Sequence, residues 1–319
     1  MTNFAIIGVG GYIAPRHLKA IKETGNNLLV ALDKNDSVGI IDSYFPKADF
    51  FTEPERFERH VYKTQHGSGE KIDFFSICTP NYLHDAHIRM ALLNGADAIC
   101  EKPLVLNPWN IDALAELEKE TGHRIYNILQ LRLHPAIIEL KKKIEAGDPN
   151  KVYDVDLTYI TSRGKWFHYS WKGDVSKSGG LATNIGIHFF DMLQYIFGAK
   201  KELVVHHRDD HVVSGYLELE RARVRWFLSV DSEYLPDEIK AKGQTTYRSI
   251  QIAGDELEFT GGFTDLHTES YKNILAGNGF GIQNAKPSIE MVHYIRNAEI
   301  VNTMKDCEHP FMSKIKQCN

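Results

Sequence analysis

Cysteine is scarce in this 319-residue chain: Cys78, Cys100, Cys307 and Cys318 are scattered, form no Cys-x-x-Cys pair and supply no disulfide framework. Long apolar runs are missing too, and none approaches the roughly 20 residues that cross a bilayer. The N-terminus leads straight into a strand pattern (Phe4–Ile7), without the charged-then-apolar layout of a secretion signal. Neither sign of charge dominates: 37 basic against 42 acidic residues give −5, which excludes a broad cationic surface for nucleic acid. An anionic ligand must therefore be met by local basic groups. Internal repeats and low-complexity segments are absent. These absences predict a cytoplasmic protein of ordinary globular composition, 43% hydrophobic and 25% charged. The length predicts two domains rather than one core.

What is present comes in two styles. In the first third, short apolar runs at Phe4–Ile7, Leu28–Leu32, Ile72–Ile77, Ala98–Cys100 and Arg124–Leu129 read as strands. Pro15–Thr24, His84–Asn94 and Pro108–Thr121 read as helices, with Gly25, Gly95 and Gly122 at their C-terminal ends and Asn107-Pro108 opening the third. Strand and helix alternating at this spacing predict a Rossmann-type α/β domain with a parallel sheet. Glu58–Lys71 reads as a polar helix end and loop. Further on, Lys151–Thr161 alternates strictly, and Glu202–His207, His211–Glu220, Ala222–Asp231, Tyr247–Ala253 and Glu256–Thr260 are strand candidates. They predict an α+β domain with a large open, mainly antiparallel sheet. The expected domains are 1–125 and 126–319.

Gly8-Val9-Gly10-Gly11-Tyr12-Ile13-Ala14 follows the first strand and opens the first helix. Gly8 permits the tight turn, and Gly10 lets backbone approach a pyrophosphate resting on the helix N-terminus. The third glycine of the usual fingerprint is missing, with Ile13 or Ala14 in its place. Asp33, beside Asn35, ends the next strand, where a carboxylate accepts ribose hydroxyls and repels a 2′-phosphate, favouring NAD over NADP. The competing reading is a strand-end turn residue. Thr79, Asn81 and His84 follow the strand ending at Ile77 and fall on the same sheet edge, within reach of a nicotinamide ribose. Cys78 and His84 lack the neighbours a metal site needs.

Glu101-Lys102-Pro103 ends the strand Ala98–Cys100 and places an ammonium at that carboxyl edge, where such sheets bind ligands. Some eighty positions later come Asn184, His188 and Asp191, which share one face if Ile185–Phe197 is helical. Lysine plus histidine behind a nucleotide fold points to alcohol oxidation rather than hydrolysis, with His188 taking a proton. The bland alternative makes Asn184 a helix cap and His188 a histidine packed beside Phe189 and Tyr195.

The order of Gly-x-Gly, Asp33, Thr79-Pro80-Asn81, Glu101-Lys102-Pro103, Ser178-Gly179-Gly180 and Asn184-x-Gly186-x-His188 resembles the Gfo/Idh/MocA oxidoreductases along essentially the whole chain. Within that family, Gly10–His17, Ala31–Asp36, Ser43–Pro46, Ile128–Pro135 and Asn184–Asp191 are similar to the WlbA/WbpB-type subgroup. That subgroup oxidises the 3-hydroxyl of UDP-N-acetylglucosaminuronate in bacterial polysaccharide (O-antigen) precursor synthesis. The resemblance implies NAD as cofactor, a second-domain sheet that mediates homo-oligomerisation, and 2-oxoglutarate as an oxidant that regenerates NAD. It implies Lys102 and His188 as the catalytic pair. It also implies cofactor contacts from Gly8, Gly10, Tyr12, Ile13, Asp33, Asn35, Thr79, Asn81, His84, Glu101, Trp171 and Lys172. Asn184 replaces the aspartate common in the wider family, and an amide positions but does not titrate.

A UDP-uronic acid carries a pyrophosphate and a carboxylate, so cations must meet it. Gln130 and Arg132 follow the last strand of the first domain. Arg163, Lys165, His168, Lys172 and Lys177 crowd a segment with a single acid, Asp174. The substrate-binding expectation is Gln130, Arg132, Arg163 and Asn184. A solvated loop is the alternative for individual lysines, and core packing for Trp171. His206–His211 reads as a hairpin connection, and no metal is expected. The competing functions are a dehydrogenase of another sugar or of inositol, and a regulator that senses NAD or sugar without turnover.

Overall fold

The computed structural model describes residues 1–257, 265–301 and 307–317. The chain begins with β1 (Asn3–Ile7), α1 (Ala14–Glu23), β2 (Asn27–Leu32), α2 (Ile40–Tyr44), β3 (Asp49–Phe51) and α3 (Pro54–His66). It continues with β4 (Phe74–Ile77), α4 (His84–Leu93), β5 (Asp97–Cys100), α5 (Pro108–Thr121) and β6 (Ile125–Asn127). The six strands pair in parallel in the order β3-β2-β1-β4-β5-β6. Every residue of β1 is buried, as expected of a central parallel strand whose two faces are covered. The order reverses between β1 and β4, which makes the crevice past their carboxyl ends the ligand site of such a sheet. Gly25, Gly95 and Gly122 take the positive φ expected past their helices.

Next come α6 (Pro135–Ala146), β7 (Tyr153–Thr161), α7 (Trp166–Tyr169), α8 (Val175–Ser178) and α9 (Ile187–Phe197). They are followed by β8 (Lys200–Arg208), β9 (Val212–Leu219), β10 (Ala222–Ser229), α10 (Asp237–Ala241), β11 (Thr246–Ile252) and β12 (Asp255–Glu256). The second sheet runs β12-β11-β7-β10-β9-β8. It is antiparallel except where β10 lies parallel to β7. Last come α11 (Leu266–Leu275), α12 (Ile282–Asn297) and α13 (Met312–Gln317).

Packing divides the chain into two units, Met1–Leu133 with Thr264–Lys286, and His134–Phe263 with Pro287–Asn319. The first unit is thus completed by a late segment: α11 packs on α1, with Tyr271 and Ile274 in one buried cluster with Leu18 and Ile21.

Glu58–Lys71 falls partly inside α3, a 13-residue helix anchored by buried Phe57 and Val61 at i, i+4. Of the strand expected at Glu256–Thr260, Glu256 lies in β12; residues 258–260 and Cys318 lie outside the described residues. α12 carries Pro287 inside it, a residue that argues against helix when read alone.

Candidate active site

In the first unit, the turn after β1 is pressed against the end of β4. Gly8 has φ +87°, and a Cβ there would lie 2.8 Å from the Cys78 carbonyl carbon. No side chain fits, so glycine is required by both conformation and space. Gly10 donates its N–H to Asp33 Oδ2 at 2.8 Å, and Asn35 donates its backbone N–H (2.9 Å) and its side-chain amide (3.2 Å) to Oδ1. A carboxylate offers about four acceptor positions, so this anion is oriented with capacity left for a ribose hydroxyl. Asn35 therefore organises Asp33. Tyr12 is exposed and Ile13 half-buried just ahead of α1, whose first turn has no acidic side chain to compete for an anion at its N-terminus. A dinucleotide fits these residues.

Along the same edge, Thr79 Oγ1 lies 3.0 Å from His87 Nδ1, and Asn81 is buried. His84 is wholly buried, with Nδ1 2.7 Å from the Pro103 carbonyl oxygen and Nε2 2.8 Å from that of Thr79. Burial lowers its pKa. A neutral ring donates to one of these two carbonyl oxygens, and the side chain lies between the Thr79 loop and the Lys102-Pro103 turn. Asn127 Nδ2 adds bonds to the carbonyls of Cys100 (2.9 Å) and Glu101 (3.2 Å).

Glu101 also turns inward. Its Oε1 lies 3.0 Å from His17 Nε2 and 2.9 Å from His267 Nε2. Burial, the largest influence, pushes this carboxyl up, but the two histidines together hold it well below the usual carboxylate range. Neither histidine was singled out from the sequence, although His17 sits on the apolar stripe Ala14, His17, Leu18, Ile21 of α1. A histidine on such a stripe was the available signal. The Gln130 side-chain oxygen is buried without a hydrogen-bond partner among the described residues, a state that calls for a donor. Arg132, 9% exposed, donates to the Asn284 carbonyl (2.9 Å), with its guanidinium 5.2 Å from the Phe280 ring centre. It holds the end of this unit together.

In the second unit, α9 is preceded by a π-helical turn over Ala182–Gly186. Asn184 lies inside that turn, so the regular i, i+4 spacing from Asn184 to His188 does not hold; only His188 and Asp191 share α9. Nor is Asn184 a helix cap, since the turn is helical on both sides of it. Gly186 ends that turn in close contact with its neighbours: a Cβ there would lie 2.5 Å from Leu228 Cδ1 and 3.0 Å from Phe190 Cε2. π turns are frequent at functional sites. Asn184 and His188 are half-buried, while Asp191 is 3% exposed.

In the basic segment, Arg163 and Lys165 are exposed, and Lys177 is neutralised by Asp174 at 3.2 Å. Lys172 lies 4.5 Å from the Trp171 ring centre and 5.9 Å from that of Trp166. Burial first, and Arg163 second, lower its pKa. Arg208 and Arg296 line a pocket with Gly179–Ala182, two cations the sequence did not single out. The His206–His211 stretch is the β8–β9 hairpin, closed by Asp209 accepting from His207 (2.7 Å) and from the backbone N–H groups of His211 and Val212.

A glycine-cradled turn at a switch point, an oriented strand-end carboxylate and a lysine on the same sheet edge describe a dinucleotide-linked oxidoreductase. Residues 2–128 match the oxidoreductase family with an NAD-binding Rossmann fold, and residues 141–309 match its C-terminal alpha/beta domain. The chain belongs to this Gfo/Idh/MocA family, and NAD is its cofactor. It is similar to the WlbA (WbpB) dehydrogenase from Thermus thermophilus in complex with NAD and alpha-ketoglutarate: 52% identity, TM-score 0.94, covering 98% of this chain and 100% of that one. A structure of the Thermus enzyme with NAD and UDP-GlcNAcA gives 51% identity and a TM-score of 0.93, covering 98% and 100%. The inositol 2-dehydrogenase of Rhizobium meliloti is 25% identical over 61% of this chain and 55% of its own length. The chain thus spans about half the length of that curated relative.

Proposed function

We propose that this protein is an NAD-dependent dehydrogenase that oxidises the sugar 3-hydroxyl of UDP-N-acetylglucosaminuronate to the 3-keto sugar, in bacterial polysaccharide precursor synthesis. The observation that carries this reading is the 51–52% identity, over 98% of the chain, to an enzyme crystallised with NAD, with UDP-GlcNAcA and with alpha-ketoglutarate. Bound against Gly8, Gly10 and Asp33, the dinucleotide supplies the hydride acceptor. His188 takes the proton of the substrate hydroxyl. Lys102 hydrogen-bonds the same oxygen and stabilises the charge that develops on it. Asn184 orients the sugar, and Gln130, Arg163 and the Trp171-Lys172 pair supply donors and cation to the polar ligands. 2-Oxoglutarate is the proposed oxidant that restores NAD, and the second-unit sheet the proposed surface of self-association.

The test incubates purified protein with NAD, 2-oxoglutarate and a panel of UDP-sugars, inositols and free sugars, followed by mass spectrometry. A two-hydrogen loss confined to UDP-N-acetylglucosaminuronate, with 2-hydroxyglutarate formed alongside, supports the reading. Loss confined to an inositol or free sugar transfers the assignment there, and no turnover at all favours a sensor. Lys102→Ala and His188→Ala should each lower turnover by about 10²- to 10⁴-fold while NAD stays bound.

A further inference from the structure

Five side chains behind Lys102 form one buried chain of hydrogen bonds within the first unit. Ser76 Oγ lies 2.6 Å from the Tyr271 hydroxyl, which lies 2.7 Å from His17 Nδ1. His17 Nε2 and His267 Nε2 converge on Glu101 Oε1, and Glu101 Oε2 accepts the Lys102 backbone N–H at 3.2 Å. His17, Tyr271 and Ser76 are 0% exposed. The donors assign themselves: a carboxylate only accepts, so both Nε2 atoms carry hydrogen, and His17 Nδ1 accepts from Tyr271. A neutral His17 satisfies both its contacts, and burial lowers its pKa in agreement.

The same three groups place potential ligand atoms within 4.8 Å of one another. Yet each Nε2 is only 2.9–3.0 Å from the shared oxygen, a hydrogen-bond length shorter than the roughly 3.3 Å between two ligand atoms on tetrahedral zinc. The geometry therefore favours a proton between each pair over a metal.

We infer that His17 and His267 are positioning residues for Lys102: they hold Glu101 as a buried anion, and Glu101 fixes the peptide from which the lysine side chain departs. The inference rests on Lys102 acting in the proposed reaction. His17 also lies on α1, at whose N-terminus the pyrophosphate is proposed to rest, so one helix both seats the cofactor and orders the lysine turn. The other titratable groups facing Glu101 are Lys102 on its own turn, His84 on α4, Cys78 past β4, Cys100 ending β5 and Tyr271 on α11. Without the two histidines, burial would let Glu101 take up a proton and lose its charge beside Lys102.

The test compares His17→Leu, His267→Leu, His17→Gln, Glu101→Gln and Lys102→Ala with NAD, UDP-N-acetylglucosaminuronate and 2-oxoglutarate. Each leucine variant should lose about 10²-fold in kcat with KM for NAD little changed. Both should shift the limb of the kcat–pH profile that Glu101→Gln also shifts. His17→Gln, whose amide donates to Glu101 and accepts from Tyr271, should recover to within about tenfold of the parent. Folded leucine variants with parental kcat and an unshifted profile, beside an inactive Lys102→Ala, would overturn the inference and leave the role of Lys102 intact. Should a leucine variant fail to fold, an unshifted profile in Glu101→Gln overturns it instead. A stoichiometric metal in the purified protein would also overturn it. A fully active Lys102→Ala would remove the role of Lys102, and this positioning role with it.

Discussion

Replacing Gly186 with alanine tests the origin of the π turn that carries Asn184 ahead of His188. The new Cβ would sit 2.5 Å from Leu228 Cδ1 and 3.0 Å from Phe190 Cε2, against a comfortable carbon–carbon separation of about 3.5–4.0 Å. Backbone strain contributes nothing, since φ is −97°. Overpacking costs about 1–3 kcal/mol, and an overlap near 1 Å belongs at the upper end. The better helix propensity of alanine returns about 1 kcal/mol, leaving a net loss of about 2 kcal/mol. Leu228→Ala alone should cost about 2–5 kcal/mol, part of it for the cavity left behind. In the double variant the added methyl enters that cavity, so the two changes should couple favourably by about 0.5–3 kcal/mol. Urea unfolding read by tryptophan fluorescence is the assay, because buried Trp226 stacks edge-on against Phe190 at 5.3 Å. Turnover should follow stability: about 10²-fold lower in Gly186→Ala, as a small displacement of His188 predicts, and partly restored in the double variant. Additivity of the two changes within about 0.5 kcal/mol would refute a steric origin for the turn.

Three further outcomes are expected. Burial, with Arg225 adding to it, pushes the His309 pKa down to about 3. Its unfolded value is about 6.5, so the unfolded chain binds a proton the native one refuses. Stability should therefore fall as pH drops from about 6.5 toward 3, by up to about 1.4 kcal/mol per pH unit, and His309→Leu should flatten that slope in urea midpoints measured against pH. Asp33→Ala removes the acceptor of three N–H groups and should weaken NADH binding about tenfold or more while narrowing the preference over NADPH, as read by calorimetry. Arg225 and Asp156 face each other across β10 and β7 with two 2.6 Å contacts; a double-mutant cycle should give a coupling of about 0.5–1 kcal/mol, shrinking with added salt.

The legible parts of this molecule were those whose cause is local. β1, Gly8 and Asp33 lie within one strand–turn–helix–strand unit, where periodicity and glycine chemistry suffice. The Glu101-Lys102-Pro103 turn was legible because a short apolar run stops there. What the sequence hid is set at a distance. The π turn over Ala182–Gly186 packs closely on Leu228 in another strand, and the parallel pairing of β7 with β10 joins neighbours separated by three helices and two strands. His84 and Glu101 carry the right residue types near the right edge, and both side chains are buried there. Cysteines 78, 100 and 307 are free, and no helix among the described residues is long and apolar enough to cross a membrane.

The late return of α11 bears on how the protein is made. Tyr271 closes on His17 at a sequence separation of 254, so the first unit lacks one wall while ribosomes are still building the second. Until Tyr271 and Ile274 have been made, the buried cluster they share with Phe4, Leu18 and Ile21 is incomplete. Domains ordinarily fold in order of emergence. Here the nucleotide-binding half, although first in sequence, cannot finish until the second half has been translated, and the entropy of that long closure is part of its folding barrier.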